Sequence, residues 1–248
     1  MNPVWISALG LCGSTLLGAG LGFFFKNIPH KWSDAIMGFC AGVMLSAAIL
    51  GLILPSAELC GEGKMWIVVA GVLVGALFLN LLDLLTPHLH SITGLEPEQH
   101  KGNASINKVM LFVLAIALHK LPEGIAAGVG FNAEDISNAW SVTIGISIQN
   151  VPEAMVIIAP LLLAGVSRTR TVIISLCIGL LEIVGIWIGY ALGGISQMLL
   201  PAMLAFAGGS MLYVVSDEMI PETHSHGHQK AASFALLIGF LFMLLVEG

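Results

Sequence analysis

Long apolar runs broken by short polar punctuation dominate the chain. A helix that crosses a bilayer needs about 20 mostly apolar residues. Eight stretches meet that requirement: 4–25, 33–55, 65–85, 107–131, 138–163, 170–192, 200–221 and 231–247. Pro, Asp, Asn, Lys or Arg punctuate the breaks, as helix ends should be punctuated. The pattern predicts an all-α polytopic membrane protein with eight transmembrane helices, forming a single domain over residues 1–248. The longest break, 86–106, holds His88, His90 and His100. No Lys or Arg precedes Trp5, so the apolar start reads as a retained first span rather than a cleavable leader.

Composition agrees with a lipid environment. The chain is 57% hydrophobic and 10% charged, with a mean hydropathy of +0.95; soluble domains carry roughly 25% charged residues. A multi-pass protein of the cell (inner or plasma) membrane is expected, with the bilayer as its first partner. A net charge of -6 without any basic run excludes nucleic acid as a partner. Cys12, Cys40, Cys60 and Cys177 are scattered, mostly within apolar segments, and read as small packing residues rather than disulfides or a zinc knuckle.

Basic residues fix the expected orientation, because Lys and Arg concentrate on the cytoplasmic side. With the N-terminus outside, the inner loops carry Lys26, Lys31, Lys101, Lys108, Arg168, Arg170 and Lys230, and the outer loops only Lys64. Both termini are therefore expected outside, and loop 86–106 cytoplasmic. Small residues recur at four-residue spacing: Gly71 and Gly75, Gly124 and Gly128, and Gly185, Gly189 and Gly193. Such spacing lets helix backbones approach closely in lipid, and these faces also allow a homodimer.

Two internal similarities stand out. Span four contains His119-Lys120-Leu121-Pro122-Glu123-Gly124, and span five contains Gln149-Asn150-Val151-Pro152-Glu153-Ala154. Each places a polar side chain four residues before a glutamate, with proline just ahead of it. Span two reads Phe39-Cys40-Ala41-Gly42-Val43-Met44-Leu45, and span seven Phe206-Ala207-Gly208-Gly209-Ser210-Met211-Leu212. Phe, Gly, Met and Leu coincide, and Pro55 with Glu58 answers Pro221 with Glu222. Within each pair the two spans run in opposite directions. Together they predict an inverted repeat, an arrangement that places substrate near the midplane.

The repeated motif carries chemistry. Residues at i and i+4 share one helix face, so His119 and Glu123 point together, as do Gln149 and Glu153. Ionisable groups at mid-span are costly and are functional-site candidates by default. Pro122 cannot donate to the Leu118 carbonyl, nor Pro152 to that of Ile148, which frees two acceptors and predicts a bend in each helix. A kink explains the prolines and leaves the glutamates unexplained. Imidazole with carboxylates suits Zn(II), Fe(II), Mn(II) or Cd(II). Glu182 adds a midplane carboxylate, read either as part of this site or as a satisfied interhelical hydrogen bond. Met44 and Met211 lie at similar depth, as thioether ligands or packing residues. Three ionised glutamates with the Lys120 ammonium leave two negative charges, which one divalent ion balances.

At these residues the chain resembles the ZIP (Zrt/Irt-like protein) metal transporters, and among them the bacterial GufA/ZupT-like branch. The resemblance runs over essentially the whole chain. It implies divalent metal, zinc foremost and also iron, manganese or cadmium, carried as transported substrate towards the cytoplasm. It implies no cofactor and no enzymatic activity, and an elevator-like exchange between two bundles. By position it implies His119, Glu123, Gln149 and Glu153 as transport-site ligands, with Met44 beside them. Lys120, Asn150 and Glu182 match a second, adjacent metal site of some members. The family's span-four motif has asparagine where this chain has Lys120, whose ammonium takes the second ion's place and leaves a mononuclear site. Asp83, His88 and Glu218 resemble residues of the cytoplasmic exit route. His224, His226 and His228 on that side read either as a metal-receiving loop or as a solvated polar loop.

Two other functions compete. An ion- or proton-coupled transporter of another substrate, or an efflux protein, would use similar residues. An intramembrane metalloprotease would need a His-Glu-x-x-His helix or an equivalent third ligand, and the chain has no such motif.

Overall fold

The computed structural model describes residues 2–24, 29–85, 117, 120–163, 165–195, 199–225 and 227–247, and every regular element among them is helical. Lipid offers no partner to an exposed amide, so helices that satisfy their own backbone are the natural outcome for such apolar runs. We number the segments α1 (Pro3–Phe24), α2 (His30–Cys60), α3 (Met65–Leu85), α4 (120–129), α5 (Ser137–Leu163), α6 (Arg168–Gly193), α7 (Leu200–His224) and α8 (Gln229–Glu247). Among the described residues, six helices are long and apolar enough to cross a membrane, and Met65–Leu81 adds a shorter apolar one. The start of the expected span 107–131 lies outside the described residues, and α4 ends in a 3-10 turn at Gly130–Asn132. Large apolar side chains face outward on many helices, among them Trp66, Leu77, Phe234, Leu241 and Leu245. Such a surface would be an aggregation hazard in water and is the expected one in hydrocarbon.

Two helices are longer than the apolar runs predicted. Span two was expected to stop at Pro55, yet α2 continues to Cys60, and α7 passes Pro221 to reach His224. In both, a π-helical stretch precedes the proline: Ala47–Ile53 in α2 and Val215–Met219 in α7. The amide of Leu54 reaches back five residues to the Ile49 carbonyl, and that of Ile220 to the Val215 carbonyl. The widened turn gives each proline ring room and reassigns the acceptors it leaves unpaired, so the helix runs on through it. The α-helix of α5 likewise continues unbroken through Pro152.

The helices pack in two groups. In one, α2 lies along α8 and α3 along α7, with α2 and α7 meeting through the π stretch of α2. In the other, α1 packs on α5 and α6, and α4 on α6. Glycines set the closest approaches. A Cβ on Gly42 would run into the Leu236 carbonyl oxygen, and one on Gly239 into that of Phe39. Across α3 and α7, Gly75 is pressed in the same way against the Phe206 carbonyl and Gly209 against that of Val72. Gly42 and Gly209, like Phe39 and Phe206, occupy matching places in the two similar segments. Between α4 and α6, Gly124 abuts Glu182 and Gly185, while Gly185 abuts Leu121. The four-residue spacing of small side chains thus serves contact between backbones inside the chain.

Candidate metal centre

The described polar residues of the motif come together in the second group of helices. The Lys120 ammonium is fully enclosed and donates to Glu123 Oε2 at 2.8 Å, Glu153 Oε2 at 2.7 Å and Asn150 Oδ1 at 2.7 Å. Glu182 Oε1 lies 3.5 Å from the same nitrogen. Lys120 and Glu123 share a turn of α4, Asn150 and Glu153 come from α5, and Glu182 comes from α6. Three carboxylates from three helices thus face one cation carried on the chain.

The remaining lone pairs are filled in order. Asn150 Nδ2 donates to Glu182 Oε1 at 2.7 Å, and Thr15 Oγ1 on α1 donates to Glu182 Oε2 at 2.9 Å. Gln149 Nε2 donates to Glu123 Oε1 at 3.0 Å. Gln149 Oε1 is the exception: it is buried and has no hydrogen-bond partner among the described residues. A buried amide oxygen without a donor loses its hydration without return, and a cation would satisfy it. The cluster can accept positive charge at that point.

Several expected residues are either outside the described set or away from the cluster. His119 and His88 lie outside the described residues, as do His226 and the side chain of Asp83. Among the described residues no group of three or more His, Cys, Asp and Glu side chains is arranged to hold a metal ion; the glutamates are drawn around Lys120 instead. Met44 and Met211 are enclosed in the apolar core. Glu218 sits half-buried on the π stretch of α7. His224 is tied into the end of α7: its Nδ1 is 2.8 Å from the Ile220 carbonyl oxygen, and its Nε2 is 3.4 Å from Ser233 Oγ on α8. His228 is exposed.

Two contacts of the cluster escaped the sequence. Thr15 is one hydroxyl in an apolar helix, with nothing in its spacing to link it to Glu182. Cys40 on α2 is fully buried, and its thiol donates to the main-chain oxygen of Gln149 at 3.7 Å. It is the described hydrogen bond that α2 makes to a cluster residue.

A cavity of about 520 Å³ opens between the two groups near the cluster. Ala126, one turn beyond Glu123, lines it together with Glu58, Asn132, Glu134, Asp135 and Asn138. The Asp135 carboxylate accepts the Ser137 amide at 2.9 Å. That bond favours the charged form and holds its pKa below the usual carboxylate value.

Known proteins with this sequence pattern have a common description. A family model described as ZIP Zinc transporter matches residues 94–247. "Zinc transporter GufA" of Myxococcus xanthus is 37% identical over 250 residues, covering 96% of this chain and 97% of that protein. "Zinc transporter ZIPB" of Bordetella bronchiseptica is 36% identical over 252 residues, covering 94% of this chain and 77% of that protein. "Zinc transporter ZupT" of Chlorobium phaeovibrioides is 30% identical over 246 residues, covering 94% and 92%. All three are named as transporters rather than enzymes. The apolar helices, the buried glutamates of α4 and α5 and these matches agree: the chain belongs to the ZIP zinc transporter family, within its bacterial branch.

Proposed function

We propose that the protein carries divalent transition-metal cations across the cell membrane towards the cytoplasm, with zinc as the leading substrate and iron, manganese and cadmium chemically compatible. The observation that carries this reading is the buried cluster of Glu123, Glu153 and Glu182 with Gln149 Oε1, which has no hydrogen-bond partner among the described residues, beside it. His119, Glu123, Gln149 and Glu153 are the transport ligands, with Met44 adjoining from α2. The ion sits near the midplane, and the Lys120 ammonium holds the place of a second ion, so one divalent cation completes the charge balance. Three carboxylates with one ammonium carry two uncompensated negative charges, and a low-dielectric site tolerates little net charge. The zinc-transporter names of the relatives support the choice of cargo.

The transport unit is one domain of eight spans related by an inverted repeat, with both termini outside. The matched glycine contacts of α2 with α8 and of α7 with α3, and the π stretches ahead of Pro55 and Pro221, favour this symmetry. Movement is elevator-like. The side-chain partners of Lys120 all come from α4, α5 and α6, and α1 adds Thr15. That group can travel as one body past α2, α3, α7 and α8, with the cavity flanked by Glu58, Glu134 and Asp135 as the outer entrance. Asp83, His88 and Glu218 are the residues we assign to the inner exit route, and His224, bonded to the Ile220 carbonyl, closes the inner end of α7.

Reconstitution tests the function. Uptake of radioactive zinc into proteoliposomes is expected to collapse in Glu123→Ala and His119→Ala while the wild type accumulates metal. Undiminished uptake in both variants would sink the ligand assignment. Outward movement under an inward zinc gradient would instead favour an efflux protein.

A further inference from the structure

We propose that Cys40 is a specificity-determining ligand, a soft sulfur donor that biases the transport site towards thiophilic divalent ions. The proposal rests on the metal-transport reading and deepens it.

Three observations carry it. First, Cys40 is fully buried and its sulfur touches the backbone of Gln149, whose side chain is bonded to Glu123. Cys12, Cys60 and Cys177 have no described hydrogen bond to a residue of the cluster. Second, Gln149 Oε1 is, among the described residues, an acceptor without a donor in the same buried turn. It is an independent sign that a cation belongs next to the residue that Cys40 contacts. Third, Met44 lies four residues along α2, on the same helix face as Cys40, and is equally enclosed. The helix facing the carboxylates therefore offers two sulfur atoms to a site otherwise built of nitrogen and oxygen.

The bond that Cys40 makes is easily given up. A thiol is a weak donor, and the Gln149 carbonyl also serves the helix of α5. On ligation the S–H bond breaks, a metal–sulfur bond forms, and the proton passes to a carboxylate of the cluster, so that one divalent ion still completes the charge balance. Thiolate favours Zn(II) and Cd(II) over Mn(II), which prefers carboxylate, carbonyl and water oxygens. A ligand on α2, opposite the group that carries the glutamates, would contact the ion in one facing state and release it as that group moves.

Cadmium gives the direct test, because cadmium–thiolate bonds absorb in the ultraviolet by sulfur-to-metal charge transfer. Purified wild type and Cys177→Ser are expected to develop this band on cadmium addition, and Cys40→Ser and Cys40→Ala to lack it. In proteoliposomes the two Cys40 variants should lose several-fold more cadmium uptake than manganese uptake. A band that persists in Cys40→Ser, or equal losses of both metals in both variants, would overturn the proposal and make Cys40 a packing residue. Wild type that transports cadmium without the band defeats this inference alone. Wild type that moves no metal defeats the transport reading on which it rests.

Discussion

Removing the Lys120 ammonium would leave Glu123, Glu153 and Glu182 facing one another with no cation among them. Breaking a buried ion pair from one side costs about 3–5 kcal/mol, because the surviving charge stays desolvated. Lys120→Met is therefore expected to unfold at markedly lower temperature than the wild type when metal-free. Added zinc should return more stability to the variant than it adds to the wild type, since the ion fills the vacated place. Thermal unfolding in detergent with and without zinc reads both effects, and equal zinc shifts would refute the substitution of ammonium for ion. At this scale the sequence was informative wherever chemistry and spacing coincided. Glutamate four residues after a polar side chain, in an apolar helix, announces itself twice over. Thr15 and Cys40 carry no such signature. Each is one small polar group among apolar neighbours, and only packing of remote helices brings it to Glu182 or Gln149.

Helices reach the site because their backbones can nearly touch. A Cβ on Gly124 would lie 2.9 Å from the Gly185 Cα, inside any real carbon–carbon contact. Since Gly124 follows Glu123 directly, pushing α4 from α6 would also pull Glu123 and Lys120 away from Glu182. Gly124→Ala is expected to destabilise by about 1–3 kcal/mol, the usual range for overpacking. Gly20→Ala on α1, where the new carbon meets nothing within 4 Å, should change stability by less than about 1 kcal/mol. Denaturation of the two variants side by side decides the matter, and equal costs would dismiss the close approach as the cause. The positions of the helices were readable from apolar runs, because lipid leaves the backbone almost no alternative. Their continuation beyond Pro55 and Pro221 was not. A proline reads as a stop unless the preceding turn widens, and a π turn has no side-chain pattern of its own.

Across the whole molecule, the arrangement separates the group that holds the glutamates from the group that faces it. The two meet where α5 crosses α2: a Cβ at Gly145 would stand 3.8 Å from Val43 Cγ1 and 2.5 Å from the Met243 sulfur, a flexible side-chain end that must turn aside to admit it. Bridging Val43→Cys to Gly145→Cys by oxidation should stop zinc uptake, and reduction should restore it, if the groups slide past each other. Uptake that continues through the bridge would rule out an elevator. The division into groups was only half legible. The paired motifs predict a symmetry between helices, but which helices pack together depends on glycine-to-carbonyl contacts that have no counterpart in a linear pattern.

The π stretch of α2 also gives the chain a rotational setting. Each residue of an α-helix turns its successors by about 100°, and a π turn holds one residue more than the regular helix needs. Excising a single residue between Ala47 and Ile53 would let that stretch close into ordinary α-helix. With the segment after Pro55 held by Ser56 on the Pro201 carbonyl, the strain would pass to the first half of α2. Cys40 would then swing about a quarter-turn off the Gln149 carbonyl, with every residue of the polar cluster still in its place.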